Sequence, residues 1–253
     1  MSVQFIWPII LLALFCEYID STLGMGYGTT LTPLLLLMGF QPMQIVPSVL
    51  LSEFITGISA GLLHQELGNV SFKRGSRAFK VTLVLAVSSV FGTVLAVLVA
   101  INIPAWLLKA YIGVLVLTMG ITILTTINRT FAFSWKKVWG LGLIAAINKG
   151  LSGGGYGPVV CGGQILSGIS EKEAISITSL AEGLVCIVGV LVYLLTGSGG
   201  IDWTLAPSLL LGAMLSVPLA AITVRWASFR KLRWAIGIII TGLGIFTLIK
   251  LIV

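Results

Sequence analysis

A five-residue cluster, Gly24-Met25-Gly26-Tyr27-Gly28, returns as Gly153-Gly154-Gly155-Tyr156-Gly157, displaced by 153 − 24 = 129 positions. A glutamate trails each copy at the same distance, Glu53 after the first and Glu182 after the second. Both copies lie in strongly apolar sequence. Glycine costs about 1 kcal/mol in a helix interior relative to alanine, so three or more within five residues should end a helix. In lipid the freed N–H and C=O groups need protein partners or a water-filled cavity. A duplicated helix break with a matching acid in each half is the pattern of a membrane transporter built from internal repeats.

Composition supports the membrane half of that reading. Hydrophobic residues make up 57% of the chain, charged residues 9%, and the mean hydropathy is +1.11. A soluble domain carries roughly 25% charged residues, so this chain cannot cover a water-facing surface. The net charge of +7 does not indicate nucleic acid, because the basic residues cluster in short connectors: Lys73, Arg74, Arg77 and Lys80; Arg129, Lys136 and Lys137; Arg225, Arg230, Lys231 and Arg233. There they fix membrane orientation. Cys16, Cys161 and Cys186 have no metal-like spacing and read as small buried apolar residues; no metal or cofactor is expected. No Lys or Arg precedes the first apolar run, so that segment is expected to be retained rather than cleaved as a signal peptide.

A spanning helix needs about 20 mostly apolar residues. Long candidates are 3–20, 44–64, 78–100, 104–126, 135–150, 171–196, 205–226 and 232–253, with shorter runs at 30–39 and 158–168 after the two glycine clusters. The expectation is an all-α membrane protein of about 8–10 helices and half-helices, with the breaks at the midplane. Each short run either returns or completes a broken crossing. Sliding by 129 residues also aligns Gly39 with Gly168, Gly68 with Gly197 and Gly113 with Gly242. The repeats are therefore 1–129 and 130–253. The basic connector at 65–80 aligns with 197–203, which holds Asp202 and no Lys or Arg; the uncharged 101–104 aligns with basic 227–233. Equivalent connectors thus fall on opposite sides, so the second repeat is inverted. By the positive-inside rule both termini lie outside.

Amides at the start of a half-helix suit an anion, and polar residues flank each cluster. The candidate substrate-binding residues are Gly24, Gly26, Tyr27, Gly28 and Thr30 in one half. In the other they are Asn148, Lys149, Gly153, Gly154, Gly155, Tyr156, Gly157 and Gln164. The alternative is that the glycines allow close helix packing. Glu53 and Glu182 sit mid-helix, where an acid costs about 2.5–3.5 kcal/mol on insertion scales and usually faces a polar pathway. Burial favours the uncharged form of a carboxyl, which makes both candidates for proton coupling or gating, together with Asp20. Asp20 and Lys149 occupy equivalent places. They either form a buried ion pair with each other, or Lys149 is a fixed charge for an anionic substrate. Glu17 belongs to the same site or to the membrane boundary. No phosphate-binding loop or βαβ dinucleotide unit surrounds the glycines, and only one histidine exists in the chain, so no enzyme is expected.

The sequence resembles the TauE/SafE family of sulfite and organosulfur-anion exporters. The likeness is carried by each glycine cluster followed by a proline and a short helix ending in glycine. These are Pro33 and Gly39 in the first half, Pro158 and Gly168 in the second. Ala174 to Leu180 is similar to the family's Ala-x-x-x-Thr-Ser stretch, and tyrosine replaces a glycine of the plain motif in both clusters. The resemblance implies proton-linked export of a small sulfur-containing anion such as sulfite, sulfoacetate or a related sulfonate, across the plasma (bacterial inner) membrane. The alternatives are import, a channel, another small anion or carboxylate, or a cation carrier. Expected partners are that substrate, protons and lipid, with no nucleic acid and the oligomeric state open.

Overall fold

In a computed structural model that describes residues 5–126, 133–197, 200–226 and 229–252, the chain is all-helical. In order the helices are α1 (Trp7–Leu23), α2 (Tyr27–Leu37), α3 (Pro42–Glu66), α4 (Arg77–Ala100), α5 (Ala105–Thr126), α6 (Trp135–Ser152), α7 (Tyr156–Leu166), α8 (Glu171–Thr196), α9 (Ala206–Trp226) and α10 (Phe229–Ile252). Five of them, α3, α4, α5, α8 and α9, are long and apolar enough to cross a bilayer. The protein is a membrane protein.

Local sequence explains the helix limits. Gln41 and Gln44 form a reciprocal capping box at the start of α3, and Ser76 Oγ accepts from Phe79 N at 3.1 Å to cap α4; such caps contribute about 1 kcal/mol each. Gly24 and Gly153 end α1 and α6 with φ of +69° and +71°, a left-handed conformation that strains any residue with a Cβ.

The main helix pairings are α1 with α9, α4 with α6, α3 with α8, and α5 with α10. Exchanging α1–α5 for α6–α10 turns this set into itself. Small residues bring the partners close. A Cβ on Gly57 of α3 would lie 2.7 Å from the Ser179 carbonyl of α8, and one on Gly92 of α4 would lie 2.7 Å from the Leu143 carbonyl of α6.

Polar contacts sort the helix ends into two groups. At one end Lys172 Nζ donates to the Arg225 carbonyl at 2.9 Å, Asn69 Nδ2 to the Ala221 carbonyl at 3.1 Å, and the Arg77 guanidinium lies 4.4 Å over the Phe133 ring. The start of α4, the start of α6, the start of α8 and the end of α9 therefore meet at this basic end. At the other end Ile6 N donates to Ser208 Oγ at 2.9 Å, Gln44 Nε2 to Asp202 Oδ2 at 2.9 Å, and Lys250 Nζ to the Leu37 carbonyl at 2.7 Å. The start of α1 and the end of α2 thus share one end: α2 returns to the face from which α1 entered. Likewise α6 starts at the basic end, and the end of α7 is back there, because Leu166 and Ser167 line a groove with Lys137 and Gly140. Both short runs, open in the sequence between spanning and returning, return. Connector residues 127–132 and 227–228, including Arg129, lie outside the described residues.

Candidate functional site

The tips of the two helical hairpins meet backbone to backbone. A Cβ on Gly154 would lie 2.6 Å from the Gly28 carbonyl carbon, and one on Gly157 would lie 2.7 Å from Met25 Cα. Gly155 N donates across the junction to Thr29 Oγ1 at 3.0 Å. The close-packing reading of the glycines is therefore realised here. The amides at the breaks are also largely engaged. Tyr27 N donates to Asp20 Oδ1 at 3.1 Å, and Gly154 N to Ser152 Oγ at 3.0 Å.

Beside this junction lies a cluster of charges. Lys149, fully buried near the end of α6, sits between Glu53 of α3 and Glu182 of α8. Its Nζ donates to Glu182 Oε1 at 2.7 Å and also touches Glu53 Oε2. Asp20 makes no ion pair with Lys149. Of the two alternatives the sequence left open for these equivalent positions, their mutual ion pair is not formed, since Asp20 turns instead onto the start of α2. The reason is electrostatic: a helix N-terminus carries partial positive charge and holds a carboxylate but repels an ammonium.

Glu17 belongs to the site and not to the membrane boundary. It is 2% exposed and its Oε1 accepts from Ser21 Oγ at 2.7 Å, while Oε2 has no partner. Together Glu17, Asp20, Glu53, Glu182, Thr56, Gly57 and Ser179 line a narrow cavity of about 10 Å³, near the room that a single water needs. Since α3 runs toward the basic end and α8 away from it, Thr56, Gly57 and Ser179 extend the cavity from the glutamates toward that basic end. None of these three was a site candidate from the sequence, although Ser179 lies in the Ala-x-x-x-Thr-Ser stretch. The available signal was spacing, since residues three or four apart share a helix face, which sets Thr56 beside Glu53 and Ser179 beside Glu182. Cys186 also adjoins the cluster, with Sγ 3.9 Å from Glu53 Oε2.

The other sequence candidates act as braces. Tyr27 OH and Ser52 Oγ share a hydrogen bond at 2.9 Å, and Tyr156 OH and Ser89 Oγ one at 3.4 Å. Asn148 Oδ1 accepts from Tyr111 OH at 2.7 Å, which turns it toward α5. Gln164 Nε2 donates to Thr178 Oγ1 at 3.0 Å, joining α7 to α8. Thr30 is buried in α2, its N–H donating to the Gly26 carbonyl at 2.8 Å. Gly24 and Gly26 shape the first turn, Gly153 and Gly155 the second.

An all-helical membrane bundle with a buried charge cluster where two helical hairpins meet is an architecture that suits a membrane transporter. Residues 9–247 match the family described as Sulfite exporter TauE/SafE, and the chain belongs to that family. It is also similar to the probable membrane transporter protein YtnM of Bacillus subtilis (strain 168), with 27% identity over 223 residues, covering 83% of this chain and 71% of that one.

Proposed function

We propose that the protein is a proton-linked secondary transporter that exports a small sulfur-containing anion, sulfite, sulfoacetate or a related sulfonate, across the plasma (bacterial inner) membrane. The observation that carries this reading is Lys149: one buried ammonium beside the junction of the two hairpins, held by two carboxyls. An anion needs a positive charge at the binding site, and the carboxyls are the groups that take up protons. Residues 1–129 and 130–253 form an inverted repeat. The self-mapping helix pairings and the return of α2 and α7 to opposite ends support it. The basic end is cytoplasmic by the positive-inside rule, with both termini outside. Rocking one repeat against the other would expose the cluster alternately.

Flux in proteoliposomes tests this. Sulfite, sulfate, thiosulfate, sulfoacetate and malonate are offered with and without a pH gradient. Saturable movement of a sulfur anion that responds to the gradient is expected; movement of malonate alone would remove the sulfur reading. One observation favours a second reading, a cation carrier: four carboxyls line the cavity against one ammonium. Uptake of a monovalent cation with no anion flux would establish it.

A further inference from the structure

Lys149 Nζ has three N–H donors, and Glu53 and Glu182 both sit against it. None of the described Lys, Arg or His residues other than Lys149 adjoins the cavity. Among the described residues an anion in the cavity has no other positive charge to use, and to reach this one it must displace a glutamate. A displaced glutamate has nowhere to place its charge. Glu53 Oε1 already lacks a hydrogen-bond partner, as does Glu17 Oε2 across the cavity. Two unit charges 4 Å apart at an effective dielectric of 20 interact by about 4 kcal/mol, so adding an anion beside freed carboxylates is strongly opposed unless protons arrive with it.

We infer that the substrate's anionic group and the two glutamates occupy Lys149 in turn, so that each negative charge on the anion is accompanied by one proton on Glu53 or Glu182. This rests on the anion-carrier reading above and fixes the sense of its coupling. With both glutamates ionised, the triad carries one net negative charge. A monovalent anion with one proton leaves that charge unchanged, and so does a divalent anion with two. Two glutamates set the capacity at two protons. Protons and anion move in the same direction, so an inward proton gradient drives uptake, and export must run down the anion's own outward gradient. Other titratable groups face the triad: Glu17 and Asp20 from α1, Tyr27 from α2, Tyr156 from α7 and Cys186 from α8. Asp20 is engaged with Tyr27 N, which leaves Glu17 as the competing proton carrier.

The test uses the full-length protein in proteoliposomes with radiolabelled sulfoacetate, whose two acid groups are both ionised near neutral pH, so any proton that moves is carried by the protein. With the outside one pH unit more acidic, wild type should accumulate sulfoacetate up to about a hundredfold, a tenfold factor for each proton, and acidify the lumen. Glu182→Gln or Glu53→Gln, which then carry one net negative charge per cycle, should accumulate about tenfold with the membrane potential held at zero by potassium and valinomycin. The double variant should still exchange sulfoacetate downhill but accumulate none. Alkalinisation of the lumen, accumulation unchanged in the double variant, or loss of coupling in Glu17→Gln with the double variant still coupled would each overturn the inference. Should the double variant not fold, calorimetric titration of wild type in two buffers of different ionisation enthalpy counts the protons bound with sulfoacetate. Two are expected, and none would overturn it. If malonate alone moves, the sulfur reading falls while the proton count for malonate still decides the coupling.

Discussion

The two hairpins share a backbone plan and differ in the charge four residues before the turn. In the first, Asp20 folds onto the start of α2 and accepts from Tyr27 N. In the second, the turn is held by hydroxyls, Ser152 Oγ under Gly154 N and Thr29 Oγ1 under Gly155 N. Lys149, excluded from a helix N-terminus by its charge, reaches sideways to α3 and α8 instead. One repeat position has thus become a cap and the other the hub of a charge cluster. Two hairpins of like backbone put matching side-chain positions to different work.

Removing the hub should have the largest effect. Lys149→Ala leaves Glu53 and Glu182 facing each other in a buried site, and breaking a buried pair this way costs about 3–5 kcal/mol. Transport is expected to fall below detection and the melting temperature to drop. Asp20→Ala, measured the same way, should lose nearer 1 kcal/mol, the worth of a cap. Equal losses in the two variants would show that the hairpins do not divide the roles as described.

Glycine substitutions separate packing from helix propensity. A Cβ on Gly28 would collide with the Gly153 carbonyl oxygen and lie 2.6 Å from its carbon, whereas one on Gly140 of α6 meets nothing within 4 Å. Gly28→Ala should therefore cost about 3 kcal/mol or more, because the facing backbone must move, and Gly140→Ala should stabilise by about 0.5–1 kcal/mol. Melting curves in detergent measure both, and a Gly28→Ala protein as stable as wild type would contradict the tight junction.

The tyrosines allow a finer comparison of the halves. The Tyr27–Ser52 hydrogen bond is 2.9 Å long and the Tyr156–Ser89 one 3.4 Å. Tyr27→Phe should lose about 1 kcal/mol and Tyr156→Phe less, because Ser89 also donates to the Gly142 carbonyl at 3.2 Å. The reverse order would mean that the second hairpin is the more firmly braced.

Much of this was legible in the sequence, and the failures have physical causes. The ends of α1 and α6 followed from glycine, since backbone cost is local. Whether the chain then turned back was not legible, because a glycine cluster ends a helix whichever way the next one runs. The direction of α2 is fixed by distant contacts such as Lys250 Nζ on the Leu37 carbonyl. Lys149 was visible as a candidate, but its partners were not. Repeat equivalence pointed to Asp20, while the helix-terminus field sends the carboxylate and the ammonium to different places.

The two ends of the bundle differ as the two hairpins do, and Asp202 gives the smallest of the expected effects. It lies in the connector equivalent to the basic one, where it ties α3 to the start of α9. Oδ2 accepts from Gln44 Nε2 at 2.9 Å, and Oδ1 accepts from Thr204 N at 2.8 Å. Partial burial pushes the carboxyl up, but the hydrogen bonds from Thr204 and Gln44 outweigh it and hold it below its usual range. A carboxyl lowered in the folded state adds stability above its unfolded value, near 3.9, and that stability is lost as the pH falls through the folded value. With solvent screening counted, Asp202→Asn should cost about 0.5 kcal/mol at neutral pH. The gap to wild type should narrow as the pH falls below about 3.9 and close once it has passed the folded value. A gap that persists there would assign the effect to shape rather than charge.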